Sequence, residues 1–591
     1  MKYYTGNEYI SLIKVKEDMS INGISALSMD LNGNLFLDCI MKLRIFVDEE
    51  EIDLTKTEFE LINYWIPNAK ITYNGIEFTI TILAPNELRG FIYNIKILNK
   101  SLKSFNIKIE SIYSLKDMYI NINSSYKLNA EKIMYFQDWF KGAILSIRSY
   151  KNIFALAFLA DEPNKFSLSK DKTAFNMSNN IHIAVNESKI FNYYIGAGLE
   201  DISALYSSIY LKRLGYDKLF KKSKDWLGTR VCNIKEKHLE KICNINSFFN
   251  YFFAYGRCID TEELVAVTSR SPEYYVSGAY WDRDCLLWSF PGILEIDKQR
   301  AKDILLYIFK TQTKNFGIHS RFINGTVLEP GFELDGLCAP YIALECYIKE
   351  TGDRKFLQEE FIYRELLLAE KRFKNWKNEN NNIYKTELRP SDDPCKYEYN
   401  TYDNVLVWKA FGSIHFLLNC IGQKGLAKHF LNMARKVKNA IKKYAIIKKD
   451  RLIAYEFDLN DNYKLYEEPA GSLRLLDYFG FIDVDLKVYY ENTLKWSYSV
   501  KNENFFETSL IKESGSLHAM HPWALSGANS LLVSEYENFG LEFFRKSIMD
   551  DYIACESVDE KTGLSITGNA FATCAGFIAY TLKKYCGKKH I

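Results

Sequence analysis

Charged and aromatic side chains are concentrated in the segment RPSDDPCKYEYNTYDN, which starts at Arg389 and precedes an apolar helical pattern. Side chains such as Arg389, Asp392 and Asp393 can bind neighbouring hydroxyl groups, and a tyrosine such as Tyr397 can stack on the apolar face of a ring. This combination of side chains is suited to binding a sugar.

Four further polar clusters are predicted at junctions between loops and helices. A surface salt bridge or a helix cap would explain each of them taken singly. Five such clusters in one chain favour a shared site instead. The residues selected from these four clusters are Trp281, Arg283, Asp284, Glu333, Asp335, His518, His521, Trp523 and Glu556.

Separated carboxylates, aromatic rings and Arg–Asp pairs are the groups that hydrolysis of a glycosidic bond requires. An inverting reaction needs a protonated carboxyl at the glycosidic oxygen and an ionised one that activates water on the opposite face of the sugar. The sequence has no zinc-type histidine spacing, Walker loop, G-x-S-x-G motif or dinucleotide fingerprint. We therefore predict a carbohydrate-active site that uses no metal or other cofactor.

Composition and charge exclude several other classes of protein. The chain has 591 residues, which predicts two or three domains, and 76 basic against 74 acidic residues, which leaves no excess of positive charge for nucleic acid. Its start lacks the pattern of a secretion signal, and no run of ~20 apolar residues could span a membrane. We expect a cytoplasmic protein without a nucleic-acid or membrane partner. Its 12 cysteines form no C-x-x-C pair, so we expect neither disulfides nor zinc.

The apolar pattern changes along the chain. Up to about residue 200 it alternates, as in ITYNGIEFTITI, where Asn74-Gly75 predicts a hairpin turn, and this half is predicted to be an antiparallel β-sandwich. Residues 201–235 have helical spacing and many lysines, which is typical of a linker. From residue 236 to 591 the period is near 3.6 and helices recur without a short repeat, which favours a closed ring of helical hairpins over a solenoid.

The clusters resemble, in the same order along the chain, those of glycoside hydrolase family 125, the metal-independent exo-α-mannosidases. RPSDDPCKYEY resembles the family motif R-P-S-D-D-A-C-x-Y-x-Y, and W-D-R-D-C at Trp281 resembles W-L-R-D-S. E-L-D-G-L-C-A-P at Glu333 resembles E-x-D-S-L-C-Y-P, and C-E-S at Cys555 resembles H-E-S-F. The resemblance covers roughly residues 240–585. It implies an (α/α)6 barrel and an inverting mechanism.

The resemblance also implies a role for individual residues. Asp335 would be the general acid and Glu556 the general base, with Glu333 as the rival acid two residues away. The subsite for the terminal sugar would be lined by Arg283, Asp284, Arg389, Asp392 and Asp393, and further substrate contacts would come from Trp281, Tyr397, His521 and Trp523.

The chain departs from the family pattern around the predicted sugar. Asp282 replaces a leucine, Gly336 replaces a serine, and the sandwich is absent from the compact mannosidases but occurs in six-hairpin enzymes that act on glucosides. An α-mannosidase is therefore the first expectation, with an α-glucosidase or glucoamylase-like enzyme next. A disaccharide phosphorylase, in which phosphate replaces the activated water, and a glycan-binding protein without turnover are further alternatives.

Overall fold

The computed structural model describes residues 1–161 and 165–589, and its chain divides into two compact units. Unit 1 contains residues 1–231, 255–265 and 270–278, and unit 2 contains residues 232–254, 266–269 and 279–591. The sequence prediction ended the sandwich at residue 200 and the linker at residue 235. The structure differs from it in that two later segments return to unit 1.

Unit 1 consists mainly of two antiparallel sheets, and the predicted antiparallel β-sandwich is confirmed. The nine-stranded sheet has the order β1 (Tyr3–Gly6), β2 (Ser11–Val15), β3 (Ile24–Ser28), β4 (Gly33–Val47), β10 (Phe105–Asn121), β16 (Ala174–Ile183) and β15 (Lys165–Leu168), with β5 (Glu50–Glu51) on β4 and β11 (Ser125–Lys127) on β10. The eight-stranded sheet has the order β12 (Glu131–Gln137), β13 (Gly142–Arg148), β14 (Asn152–Ala160), β17 (Ser188–Gly198), β9 (Gly90–Asn99), β8 (Ile76–Leu83), β7 (Ile66–Tyr73) and β6 (Glu58–Ile62).

The hairpin between β7 and β8 illustrates how the sequence specifies these sheets. Asn74 and Gly75 have φ values of 51° and 78°, the left-handed conformation that a tight hairpin turn requires. Beyond the turn, Ile76, Phe78 and Ile80 are buried in the core of unit 1. Both the predicted turn and the predicted alternation are confirmed.

The predicted linker begins as two helices of unit 1, α1 (Asp201–Leu214) and α2 (Tyr216–Gly228). Gly215 separates them with a φ of 79°, a value that favours glycine. Helix α1 packs against β17 and β14. It therefore covers part of the eight-stranded sheet.

Unit 2 is helical, and its last helix packs against its first, as in a closed ring of helices. Its helices are α3 (Lys237–Phe253), α4 (Phe290–Ile296), α5 (Lys298–Tyr307), α6 (Leu334–Thr351), α7 (Glu360–Lys374), α8 (Thr401–Cys420), α9 (Lys424–Tyr444), α10 (Lys487–Ser497), α11 (Ala524–Ser530), α12 (Glu537–Lys546) and α13 (Ala572–Lys589). A π-helical turn, Arg283–Ser289, leads into α4.

Helices α6 and α8 are buried on almost every side, whereas α7 and α9 bury only one stripe of side chains. The burial of α6 and α8 matters for function because both begin at polar clusters found in the sequence.

The segments between the helices contain short antiparallel strands. They are β18 (Tyr255–Arg257), β19 (Leu264–Ala266), β20 (Ile318–Arg321), β21 (Val327–Phe332), β22 (Lys377–Asn378), β23 (Ile383–Tyr384), β24 (Tyr399–Asn400), β25 (Ile446–Ile447), β26 (Leu452–Ile453), β27 (Glu456–Phe457), β28 (Tyr463–Lys464), β29 (Ser557–Val558) and β30 (Ser565–Thr567).

None of the helices in the described part of the chain has both the length and the apolar character needed to cross a bilayer.

Candidate active site

The guanidinium group of Arg283 gathers three of the predicted carboxylates in unit 2. Its Nε lies 2.6 Å from Asp335 Oδ2, its Nη2 2.9 Å from Glu333 Oε2 and its Nη1 2.9 Å from Asp392 Oδ1. Arg283 is only 1% exposed, so water screens these pairs little. One positive charge faces three acids, an arrangement that favours retention of a proton by one of them.

Glu333 is the acid of this group that the structure most favours as the proton carrier. Burial raises its pKa to about 8, although Arg283 and a hydrogen bond with His319 oppose the shift. His319 Nδ1 lies 2.6 Å from Glu333 Oε1, and the indole of Trp281 contacts the same imidazole edge to face. Burial lowers the pKa of His319, but the hydrogen bond with Glu333 and the charges of Glu333 and Asp392 together outweigh burial, so the net shift is upward.

Asp335 lies in the first turn of α6 and is 1% exposed. Its Oδ1 accepts a hydrogen bond of 2.6 Å from the backbone N–H of Gly336, and its other oxygen meets Arg283. Asp403 in α8 is buried nearby, and neither of its carboxylate oxygens has a hydrogen-bond partner among the described residues. Burial, and then the charge of Asp335, raise the pKa of Asp403.

The loop that begins at Arg389 is held by two buried glutamates. Glu456 pairs with Arg389 and accepts a hydrogen bond of 2.9 Å from the backbone N–H of Lys396. Glu468 accepts hydrogen bonds of 2.7 Å from Ser391 and 2.6 Å from Tyr455. The loop is thereby fixed to the segment that follows α9, and Arg389 contributes to holding it.

The same loop connects the carboxylates at Arg283 to Glu556. Asp392 contacts Arg283, and the next residue, Asp393, has its Oδ1 3.8 Å from Nδ1 of His518. Nε2 of His518 is 3.9 Å from Oε1 of Glu556. The carboxylate of Asp393 is the main cause that raises the pKa of His518 to about 9, and the charge of Glu556 adds to it. His518 is therefore a cation at neutral pH.

Asp284 is a further buried carboxyl with a local partner. Thr573, in the first turn of α13, donates a hydrogen bond of 2.9 Å to it. Burial raises the pKa of Asp284 to about 7, against the opposing charge of Arg283. A carboxyl poised in this way can donate or accept a hydrogen bond with a sugar hydroxyl.

The remaining predicted contacts have other surroundings. Tyr397 is half-buried and its backbone N–H is 3.3 Å from Glu456. Trp523 is 4% exposed, donates to the carbonyl of Ala519 and contacts the ring of His518. His521 Nδ1 lies 3.1 Å from Glu560 Oε2, a residue that is not part of the group at Arg283.

Of the two residue substitutions in the family motifs, Asp282 has a local explanation. Asp282 is buried, pairs with Arg321 and accepts hydrogen bonds of 2.8 Å from Tyr280 and 3.1 Å from the backbone N–H of Gly317. Its carboxylate is thus committed to the protein rather than to a ligand. A Cβ on Gly336 would meet its nearest neighbour at 3.6 Å, so no clash at Cβ explains the glycine there.

Three of the site residues form a group with metal-ligand chemistry. His319, Glu333 and Asp392 offer ligand atoms that all lie within 4.8 Å of one another. The guanidinium of Arg283 already contacts two of these acids and supplies the positive charge that a cation would bring.

Several residues of this network were not among the sequence predictions. His319, Asp403, Glu456 and Glu468 were missed, and His518 was noted only as part of a cluster. The pair of acids in the segment YEEPAG, which includes Glu468, stands beside apolar residues and was the available signal.

Comparisons with known proteins support the resemblance found in the sequence. Residues 367–582 match the model of the family described as metal-independent alpha-mannosidase (GH125), a range that includes the Arg389 loop and Glu556 but begins after Asp335. The meiotically up-regulated gene 157 protein of Schizosaccharomyces pombe is 27% identical over 165 residues. That match covers 27% of this chain and 32% of the relative, so the chain matches about a third of the relative's length.

Solved structures share the fold at low sequence identity. A Streptococcus pneumoniae metal-independent alpha mannosidase, in a non-productive complex with alpha-1,6-mannobiose, matches 60% of this chain and 95% of its own with a TM-score of 0.51 and 17% identity. A bacterial glucoamylase complexed with acarbose matches 100% of this chain and 94% of its own, with a TM-score of 0.66 and 13% identity.

A putative kojibiose phosphorylase from the human microbiome matches 98% of this chain and 86% of its own, with a TM-score of 0.56 and 14% identity. The glucoamylase and the phosphorylase thus align with nearly the whole chain, sandwich included. Residues 367–582 therefore match the model of the metal-independent alpha-mannosidase family, and the chain as a whole shares the six-hairpin glycosidase fold of the glucoamylase and the phosphorylase.

Proposed function

We propose that this chain is an inverting exo-glycosidase that hydrolyses terminal α-linked hexose, with α-mannosides as the preferred substrates. One observation carries the proposal: a single loop, Arg389–Asp393, connects the acids held by Arg283 to Glu556 through His518. An inverting hydrolase needs an acid and a base on opposite faces of one sugar. We place the sugar against this loop, between the candidate acids and Glu556.

The base is Glu556. It is 5% exposed, and its Oε1 lies 3.9 Å from Nε2 of the cationic ring of His518. The ionised carboxylate activates the water that attacks the anomeric carbon, while Asp392 and Asp393, each about a third exposed, accept hydrogen bonds from sugar hydroxyls.

The acid belongs to the pair Glu333 and Asp335, which share Arg283. We assign the proton transfer to Asp335, following its position in the family motif. Glu333 is the second candidate because its raised pKa keeps it protonated at neutral pH. In the first assignment Asp335 carries the proton that the leaving oxygen receives, and Glu333, which is also protonated, limits the negative charge around Asp335.

Mannoside preference is supported by the family match over residues 367–582. The likeness to a glucoamylase and to a phosphorylase concerns the fold, which hosts different chemistries. The substrate must therefore be decided by assay.

The test is a panel of aryl α-mannosides and α-glucosides, assayed with EDTA and, separately, with inorganic phosphate. We expect hydrolysis of the α-mannosides that is insensitive to EDTA and independent of phosphate, with the β-anomer of mannose formed first, as followed by proton NMR. Phosphate-dependent release of a sugar phosphate would assign a phosphorylase instead. Activity lost with the chelator, or first release of the α-anomer, would contradict the proposed mechanism.

A further inference from the structure

A second cavity, of about 420 Å³, lies in unit 2 and is lined by none of the proposed catalytic or sugar-binding residues. Its volume is in the range of small-molecule sites. Phe332 and Leu337, which flank the segment of Glu333 and Asp335, belong to its wall. The cavity therefore adjoins the acid-bearing segment without including its carboxyl groups.

The apolar part of the wall is aromatic. The rings of Phe332 and Trp376 are stacked with their centroids 3.4 Å apart and their planes at 6°. Phe316 also lines the cavity, and Leu368 lies at its rim with 39% of its surface exposed. Such a surface suits the C–H face of a sugar ring.

The polar part of the wall is cationic. Lys314, Lys371 and Arg372 line the cavity, and no acidic residue of the described chain does. Glu365 neutralises Arg372 through hydrogen bonds of 2.7 and 2.8 Å. Lys314 and Lys371 are exposed and have no acidic partner within 4.0 Å among the described residues.

Two uncompensated ammonium groups beside an aromatic wall define the class of ligand. Lysine binds phosphate as a point charge, and a phosphate ester carries close to two negative charges at neutral pH. The amides of Asn315 and Asn375, which also line the cavity, can bind hydroxyl groups. An uncharged sugar would make no ion pair with the lysines, and a free anion would make no stacking contact with the aromatic rings.

We propose that this cavity is a second binding site, distinct from the proposed catalytic site, for a phosphorylated hexose. The phosphate lies between Lys314 and Lys371, and the sugar ring lies against Trp376. The hexose is either a free sugar phosphate or the phosphorylated end of a glycan, since both present the same groups.

The test is isothermal titration calorimetry of the full chain at about 150 mM salt, a concentration that screens weak surface attraction. The probes are mannose 6-phosphate, glucose 6-phosphate, inorganic phosphate and free mannose. We expect at least one hexose 6-phosphate to bind with a Kd near 1 mM or below, about tenfold more tightly than inorganic phosphate. The methyl α-glycoside of that hexose phosphate separates the two sources: retained affinity assigns a glycan end, and lost affinity assigns the free sugar.

Variants locate the site. The double change Lys314→Ala and Lys371→Ala should weaken hexose phosphate binding by about tenfold, whereas Lys374→Ala, an exposed lysine of α7 that does not line the cavity, should change it less than twofold. Trp376→Leu should weaken the binding of the hexose phosphate more than the binding of inorganic phosphate. If that variant does not fold, Leu368→Asp provides a second test. It adds a negative charge at the exposed rim and should weaken the binding of both the hexose phosphate and inorganic phosphate.

Three results would overturn the proposal. They are equal affinity for inorganic phosphate and hexose phosphate, unchanged affinity in the double lysine variant, and no binding of either hexose phosphate up to 10-fold the expected Kd. The readout is binding rather than turnover, so a failure here is distinguishable from a failure of the proposed glycosidase activity.

Discussion

Nε2 of His518 lies 3.9 Å from Oε1 of Glu556, while its Nδ1 lies 3.8 Å from Asp393. With its pKa raised to about 9, chiefly by Asp393, the imidazole is a cation over the whole neutral range. It therefore holds positive charge beside the proposed base. The removal of this charge should have a measurable consequence.

The ratio of kcat/KM between the unaltered protein and His518→Asn should fall as the pH rises through about 9, because the imidazole loses there the positive charge that it holds beside the proposed base. The measurement is kcat/KM from about pH 6 to 10 with an aryl α-mannoside. His521→Asn is the matched control, since that imidazole pairs with Glu560 instead. A ratio for His518→Asn that does not change with pH would contradict the role assigned to His518.

Glu556→Gln should lower kcat by about 10²- to 10⁴-fold, the usual contribution of a general base, and should change the Kd of a substrate by less than about threefold. The loss should be the same for substrates with good and with poor leaving groups, since the water still lacks a base. Glu560→Gln serves as the control because Glu560 contacts His521 and not the loop at Arg389. Undiminished turnover in Glu556→Gln would remove Glu556 from the mechanism.

Leaving-group dependence separates the two candidate acids. Asp335→Asn should lower kcat/KM by about 10²- to 10⁴-fold for an alkyl α-mannoside but by less than tenfold for a dinitrophenyl α-mannoside, whose leaving group needs no proton. Glu333→Gln should lower both by similar factors, because it alters the contacts with His319 and Arg283 rather than the proton donor. If rescue by the good leaving group occurs in Glu333→Gln instead, Glu333 is the acid.

The polar clusters of the site were predictable because each lies next to the start of a helix or turn. Arg283, Asp335 and Asp392 stand far apart in the sequence, yet each falls in a short segment with unusual polar content. The structure brings both acids to the guanidinium of Arg283. Their pairing was not predictable, since nothing local specifies that Arg283 contacts two later segments.

The residues that hold the Arg389 loop were not predictable for a related reason. Glu456 and Glu468 follow α9 and reach the loop only through the tertiary fold. Likewise, alternation of apolar residues predicted β8 and its neighbours, but no local signal marked residues 255–265 and 270–278 as parts of unit 1. Periodicity reports which face of an element is buried, not which other element covers it.

Glu333 should make the stability of the protein depend on pH. Burial raises its pKa from 4.5 to about 8, so the folded chain binds its proton more tightly than the unfolded chain does. The stabilisation is complete below pH 4.5 and is lost as the pH rises through about 8. Between pH 5 and 9, the Tm of the unaltered protein should therefore fall by at least about 2 °C relative to that of Glu333→Gln. A constant Tm difference, measured by scanning calorimetry, would contradict this.

The buried pair of Glu456 and Arg389 should be important for both stability and turnover. Glu456→Ala leaves Arg389 without its partner and the backbone N–H of Lys396 without its acceptor, and removal of one partner of a buried pair costs about 3–5 kcal/mol. Glu398→Ala, which breaks an exposed pair with Lys385, should cost less than about 1 kcal/mol. Urea unfolding measures both values. Because the freed loop also carries Asp392 and Asp393, kcat/KM should fall in Glu456→Ala and not in Glu398→Ala, and equal effects in the two variants would show that Glu456 does not hold the loop.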